Sequence, residues 1–157
     1  MGKKFIYGEY IAGEESEISA LVREVFNEFV APCYSKEGVN EFLGYIEPAR
    51  LVERLKAGED FILTAKSGGK IVGVIDIKKY NHISLLYVDK KHHCCGIAKH
   101  LLQLAVEKCR KKDPKLAEIT VNSSLYGVFI YEQMGFQLTA PEQEQNGIKY
   151  FPMSMKI

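Results

Sequence analysis

The order of elements predicted along this chain is that of a mixed α/β domain. Three observations point there. Two strand-forming runs, 61–66 and 71–79, flank the hairpin turn Ser67-Gly68-Gly69-Lys70. A strand, a helix and another strand follow between 83 and 121, as in a crossover connection. Two further strand candidates, 136–139 and 149–156, close the chain as a pair.

The elements follow in order. Phe5, Tyr7 and Tyr10 mark a first strand over 3–11. Ile18, Leu21, Val22, Val25, Phe26 and Phe29 recur at helical spacing, which predicts an amphipathic helix over 14–30, ended by Ala31-Pro32. Ser35 is placed to cap a short helix to Tyr45, with Glu37 at its positive end. Pro48 suits the first turn of a helix over 48–57, closed by Gly58. Ile71, Gly73, Ile75 and Ile77 alternate with Val72 and Val74, as expected of a strand covered on both faces. The helix predicted over 96–111 carries one stripe of Ala98, Leu101, Leu102, Ala105, Val106 and Cys109, and Arg110-Lys111-Lys112 sits at its negative pole. A strand over 117–121 and a helix over 125–134, stopped by Gly135, lead to the final pair.

The 157 residues fit one domain spanning 1–157, with neither repeat nor linker. Hydrophobic residues make up 46% and charged residues 26%, as in water-soluble globular proteins. Net charge is +1 from 21 basic and 20 acidic residues, which argues against a nucleic-acid partner. No apolar stretch approaches the roughly 18 residues of a membrane span, and the start of the chain lacks the apolar region of a signal peptide. A cytoplasmic location with reduced Cys33, Cys94, Cys95 and Cys109 is therefore expected.

The chemistry concentrates in Val88-Asp89-Lys90-Lys91-His92-His93-Cys94-Cys95-Gly96-Ile97-Ala98. A buried strand ends, a polar loop follows and a helix opens on a glycine. Free amides and the helix dipole at such a point suit a phosphate. Neither a Walker sequence nor the spaced glycines of a dinucleotide fingerprint is present. A metal is not expected on His92-His93-Cys94-Cys95, because adjacent residues do not wrap one tetrahedral ion. Thiols at a helix start do allow a redox-sensitive loop.

Downstream come Asn122-Ser123-Ser124 and Phe129-Ile130-Tyr131-Glu132-Gln133-Met134-Gly135-Phe136. With these in register, the chain resembles the GNAT N-acetyltransferase superfamily. The loop is similar to the family's Gln/Arg-x-x-Gly-x-Gly/Ala pyrophosphate loop, and the second segment to its Asn…Tyr-Glu-x-x-Gly-Phe stretch. The resemblance covers residues 60–157 well. It implies a GNAT acyl-CoA N-acyltransferase fold with a central splayed sheet. It further implies acetyl-CoA as cosubstrate, no metal, and direct acetyl transfer to a primary amine of a small molecule or protein. Leu86 and Val88 would pair with the pantetheine arm through their backbones. Amides around His93, Cys94, Gly96, Ile97, Ala98 and Lys99 would hold the pyrophosphate, Asn122 would lie near the thioester, and Tyr131 would protonate the leaving thiolate. The loop departs from the pattern at His93, where Gln or Arg is usual, and at Cys94-Cys95. Lys90, Lys91 and Lys99 are candidates for the missing charge. That departure keeps a second function class in view, an acyl-CoA-binding sensor or interaction module with little catalysis.

An amine attacks only when neutral, so a base is needed. His82 stands as far ahead of His93 as the catalytic carboxylate of histone-type members stands ahead of their matching position. A His pKa suits the task. Strand alternation would put His82, Ser84, Leu86 and Val88 on one face. Asp76, Glu47 and Glu28 are alternatives acting through water. The acceptor is expected between the N-terminal helices and the core strand, where Phe26, Phe29, Tyr34, Phe42 and Tyr45 crowd. Phe29, Tyr34, His82 and Ser84 are the candidate acceptor contacts. The C-terminal strands are also able to pair across a homodimer.

Overall fold

The computed structural model describes residues 4–157. Its elements are β1 (Ile6–Glu9), α1 (Glu15–Phe29), a 3-10 turn at Ala31–Cys33, α2 (Lys36–Tyr45), α3 (Pro48–Lys56), β2 (Asp60–Ser67), β3 (Lys70–Lys78) and β4 (His82–Val88). A second 3-10 turn, Lys90–His92, leads to α4 (Ile97–Lys112), β5 (Glu118–Ser123), α5 (Val128–Gln133), β6 (Gln137–Leu138), β7 (Gln143–Gln145) and β8 (Ile148–Lys156). The first strand is shorter than expected, and Lys3 lies outside the described residues.

The strands form one sheet in the order β1-β2-β3-β4-β5-β8-β6, with β7 paired to β8. Gly68 and Gly69, both at positive φ, make the tight turn that sets the β2–β3 register. Strand β3 is buried from Ile71 to Ile77, as its apolar run on both faces requires, with Asp76 the one charged residue carried inside. One core cluster, containing Leu101, Leu102 and Ala105 of α4, packs on one face of the sheet. The other, containing Ile18, Val22 and Val25 of α1 with Leu51 of α3, packs on the opposite face.

Two departures from regularity position the site. Strands β4 and β5 run parallel but pair only at His82↔Thr120 and Ile83↔Val121; beyond that they diverge. The second is a bulge in β4. Ile77 faces Ile83 and Asp76 faces Leu85, so Ser84 is one residue extra. The expected single face of His82, Ser84, Leu86 and Val88 is therefore corrected. Leu86 and Val88 pack against the α4 cluster with Ile83, whereas Ser84 meets Tyr45 of α2.

Helix α2 begins as expected, with Ser35 Oγ accepting from the Gly38 amide at 3.1 Å. Ser35 Oγ also donates to the Gly147 carbonyl at 3.2 Å. A Cβ on Gly38 would stand 2.8 Å from that carbonyl's carbon, so only glycine lets the β7–β8 turn seat on α2. Strand β7 itself was not expected, because Gln143-Glu144-Gln145 is polar and exposed and carries no alternation. Helix α5 starts at Val128 rather than at 125, because Ser124 Oγ accepts from the Gly127 amide and closes a turn ahead of the helix.

Candidate active site

The wedge between β4 and β5 opens into a cavity of about 940 Å³, within the range of small-molecule sites. It runs from the loop after β4, past the walls formed by β4, β5 and α5, to α2 and the β7–β8 turn.

At the loop end, Cys94 (φ 63°) and Gly96 (φ 78°) are both left-handed. For Cys94 this is a strained conformation. Gly96 caps α4 without any side chain bonding to the helix start. Among the described residues the amides of Cys94, Cys95, Gly96, Ile97, Ala98 and Lys99 donate to no protein acceptor. This row of free donors at a helix start makes an anion cradle. His93 is used differently. Its amide donates to the Lys90 carbonyl at 3.3 Å and its Nε2 donates to the Val88 carbonyl at 2.8 Å. Both groups are spent inside the loop rather than aimed into the cradle. Lys99 lines the cavity, whereas Lys90 is held by Glu28 at 2.7 Å. His92 is held by Asp89 at 2.9 Å. All four cysteines are free thiols, Cys109 alone being buried. Among the described residues no group of His, Cys, Asp or Glu is arranged to hold a metal ion.

Strand β4 offers a free edge. The Asp89 amide donates to Val72 on the β3 side, at 2.8 Å. Antiparallel alternation then turns the backbone groups of Leu86 and Val88 toward the wedge, and the Val88 carbonyl does accept from that side, from His93. Across the wedge, Asn122 is exposed and lines the cavity. Tyr131 is buried, its ring edge-on to Phe136 at 5.3 Å. Burial pushes its phenol well above the ordinary tyrosine range. Gly127 makes this placement fit: a Cβ there would stand 2.8 Å from Ser123 Oγ and 3.3 Å from the Tyr131 ring.

His82, Ser84 and Tyr34 all line the cavity. Phe29 does not. Its ring stacks on Tyr126 at 5.0 Å and leans on His93 at 5.5 Å, so it props two wall residues from behind. His82 Nδ1 lies 2.7 Å from Thr120 Oγ1, which in turn donates to the Asn81 carbonyl at 3.5 Å. Burial first, and Lys78 second, lower the His82 pKa below its ordinary value.

Residues 30–157 match the model of the acetyltransferase (GNAT) domain. The chain belongs to the GNAT acetyltransferase family. Comparison with curated proteins by sequence finds no match. Solved structures share the fold at low identity. A GCN5-related N-acetyltransferase from Rhodopseudomonas palustris superposes with a TM-score of 0.82 at 16% identity, covering 100% of this chain and 99% of its own. PaiA N-acetyltransferase from Thermoplasma acidophilum, in complex with coenzyme A, gives 0.80 at 19% identity, with 98% and 99% covered. An aminoglycoside 6'-N-acetyltransferase complexed with coenzyme A gives 0.69 at 14% identity, with 96% of each chain covered.

In this GNAT domain the alternative carboxylates are sorted by position. Glu28 is paired with Lys90 and Glu47 stands 3.9 Å from Arg23; neither lines the cavity. Asp76 is buried beside Asp60, and neither carboxyl has a donor among the described residues. Burial first, then the Asp60 carboxyl, raise the Asp76 pKa well above the carboxylate range. The Asp76 carboxyl therefore holds its proton to higher pH than a free carboxyl does. A group with a raised folded pKa loses its contribution to stability as pH climbs from the unfolded to the folded pKa. Thermal melts of Asp76→Asn against wild type should then show the variant gaining relative stability as pH rises from 4 to 8. Equal differences at both pH values would show that the Asp76 carboxyl is not shifted.

Tyr45, one of the aromatics expected at the acceptor end, also lines the cavity, as do Glu41, Tyr126, Gln145 and Asn146, which no motif in the sequence marks. Ser124, three residues ahead of Gly127, was a legible cap signal for α5.

Proposed function

We propose that this GNAT domain transfers acetyl from acetyl-CoA to a primary amine of a small molecule or protein, by direct attack of the amine. The observation that carries this is the row of amides from Cys94 to Lys99 without partners among the described residues, continuous with the free edge of β4 in one cavity that Tyr131 also lines. A phosphate-bearing chain with an extended amide arm fits such a groove. When bound, acetyl-CoA supplies the activated acetyl group.

Each residue then has one task. The loop amides, with Lys99 beside them, neutralise the pyrophosphate; the backbone supplies what the missing Gln or Arg at position 93 does not. Leu86 and Val88 align the arm through main-chain groups. Asn122 offers an amide near the reacting carbonyl. Tyr131 stays protonated across the working pH range and donates toward the sulfur as negative charge grows there. His82 takes the amine's proton. With Nδ1–H donating to Thr120 Oγ1, the Nε2 lone pair is the base.

The His82 assignment predicts a pH profile. In the wild type, kcat/KM should fall at acid pH through a pKa below 6.5, as the imidazole protonates. His82→Ala should flatten that limb; an unchanged limb removes His82 as the base. The functional test is CoA release over a panel of alkylamines, diamines, aromatic amines, amino sugars and lysine peptides. Tight acetyl-CoA binding without amine-dependent release would replace the transferase with an acyl-CoA-binding module. The inward-turned His93 is the observation on that side.

A further inference from the structure

The acceptor end of the cavity rests on a buried polar chain that the transfer chemistry above does not use. Arg54 of α3 stands 3.4 Å from Asp60 Oδ2, covers the Tyr45 ring at 3.7 Å from its centroid, and donates to the Tyr45 carbonyl at 2.9 Å. The Tyr45 hydroxyl is hydrogen-bonded to Ser84 Oγ, the bulge residue of β4. Both residues line the cavity. Asp60, Asp76 and Arg54 do not reach it, yet all carry buried polar atoms without a hydrogen bond among the described residues. Burying such groups costs several kcal/mol per ion in general, and apolar residues of similar volume stabilise a fold at least as well. Core stability alone therefore does not account for the cluster. What it does accomplish is geometric. Tyr45 is the last residue of α2, where a helix end frays. The guanidinium fixes it from the carbonyl and the ring face together, and the Asp60 carboxylate faces the guanidinium from the other side, with Asp76 adding its charge nearby.

Resting on the transferase function proposed above, we propose that Tyr45 is an acceptor-contacting residue that presents its hydroxyl, paired with that of Ser84, to the incoming amine. Arg54 and the Asp60–Asp76 pair are the positioning residues that hold it there. A hydroxyl pair has both lone pairs and protons to offer, so it orients a neutral amine without taking its proton, which leaves that step to His82. The charged groups around the pair are Arg54 and Lys78, with the Tyr45 phenol close by.

The test uses the amine of highest turnover in the panel as probe. Tyr45→Phe should raise the amine KM roughly tenfold, the scale of one lost hydrogen bond, while the Kd for acetyl-CoA stays within twofold. Asp60→Asn with Asp76→Asn together should raise the same KM, because Arg54 loses its anion. Asp76→Asn alone should have the smaller effect, since it retains one carboxylate and one donor in the pair. A KM unmoved by both Tyr45→Phe and the double variant, with only the melting temperature lowered, overturns the proposal and leaves the cluster structural. Should the double variant not fold, Tyr45→Phe decides alone. A wild type that releases no CoA with any amine overturns the transferase function, and this assignment with it; a wild type that turns over with Tyr45→Phe unaffected overturns this assignment only.

Discussion

Tyr131→Phe should lower kcat by about 10²–10⁴-fold, the usual cost of removing a general acid, while the Kd for acetyl-CoA stays unchanged. Burial of the phenol keeps it neutral. At first sight an acid so weakened is a poor proton donor to a thiolate. The same dry wall acts on the departing sulfur, however. A thiolate forming there is also denied water, so its basicity rises with the phenol's and the two groups remain matched. Water cannot easily replace the lost donor behind a ring packed on Phe136. The packing itself survives, since phenylalanine keeps the ring, and among the described residues the hydroxyl holds nothing else in place. Melting temperature should therefore change little. A variant with wild-type kcat would remove Tyr131 as the acid, and one with weakened acetyl-CoA binding would make it a binding residue instead.

What the sequence disclosed, and what it hid, divides along physical lines. The α4 stripe and the apolar run of β3 were legible because burial leaves its period in composition. The loop after β4 was legible because a left-handed helix start selects glycine. The bulge at Ser84 was not. One extra residue shifts every later side chain to the other face without altering residue types, and it broke the expected alignment of His82 with Leu86 and Val88. Phe29 shows a different loss. Its place in the α1 stripe was read correctly, but a ring at a helix end either lines a cavity or props its wall, and the choice rests on Tyr126, far along the chain. The buried cluster was the least visible. Arg54, Asp60 and Asp76 come from three elements, and each alone resembles a surface charge in the sequence.

The cradle itself can be challenged by giving it an anion of its own. Ala98→Glu places a carboxylate in the first turn of α4, beside the free amides and inside the cavity lining. Two consequences of opposite sign follow. The carboxylate meets the positive pole of the helix, so the folded protein should gain about 0.3–1 kcal/mol. A pyrophosphate approaching the same amides meets like charge at about 5 Å, worth about 3 kcal/mol at an effective dielectric of 20, so acetyl-CoA affinity should drop by roughly 10²-fold. Raised salt screens the repulsion and should restore part of the affinity. A fold defect cannot imitate this pattern, because it would lower melting temperature and affinity together. Thermal melts with titration of acetyl-CoA, at low and high salt, read both quantities on one sample. Unchanged affinity beside a raised melting temperature would mean that the phosphates lie elsewhere and that the unpartnered amides of Cys94 to Lys99 are a feature of the turn alone.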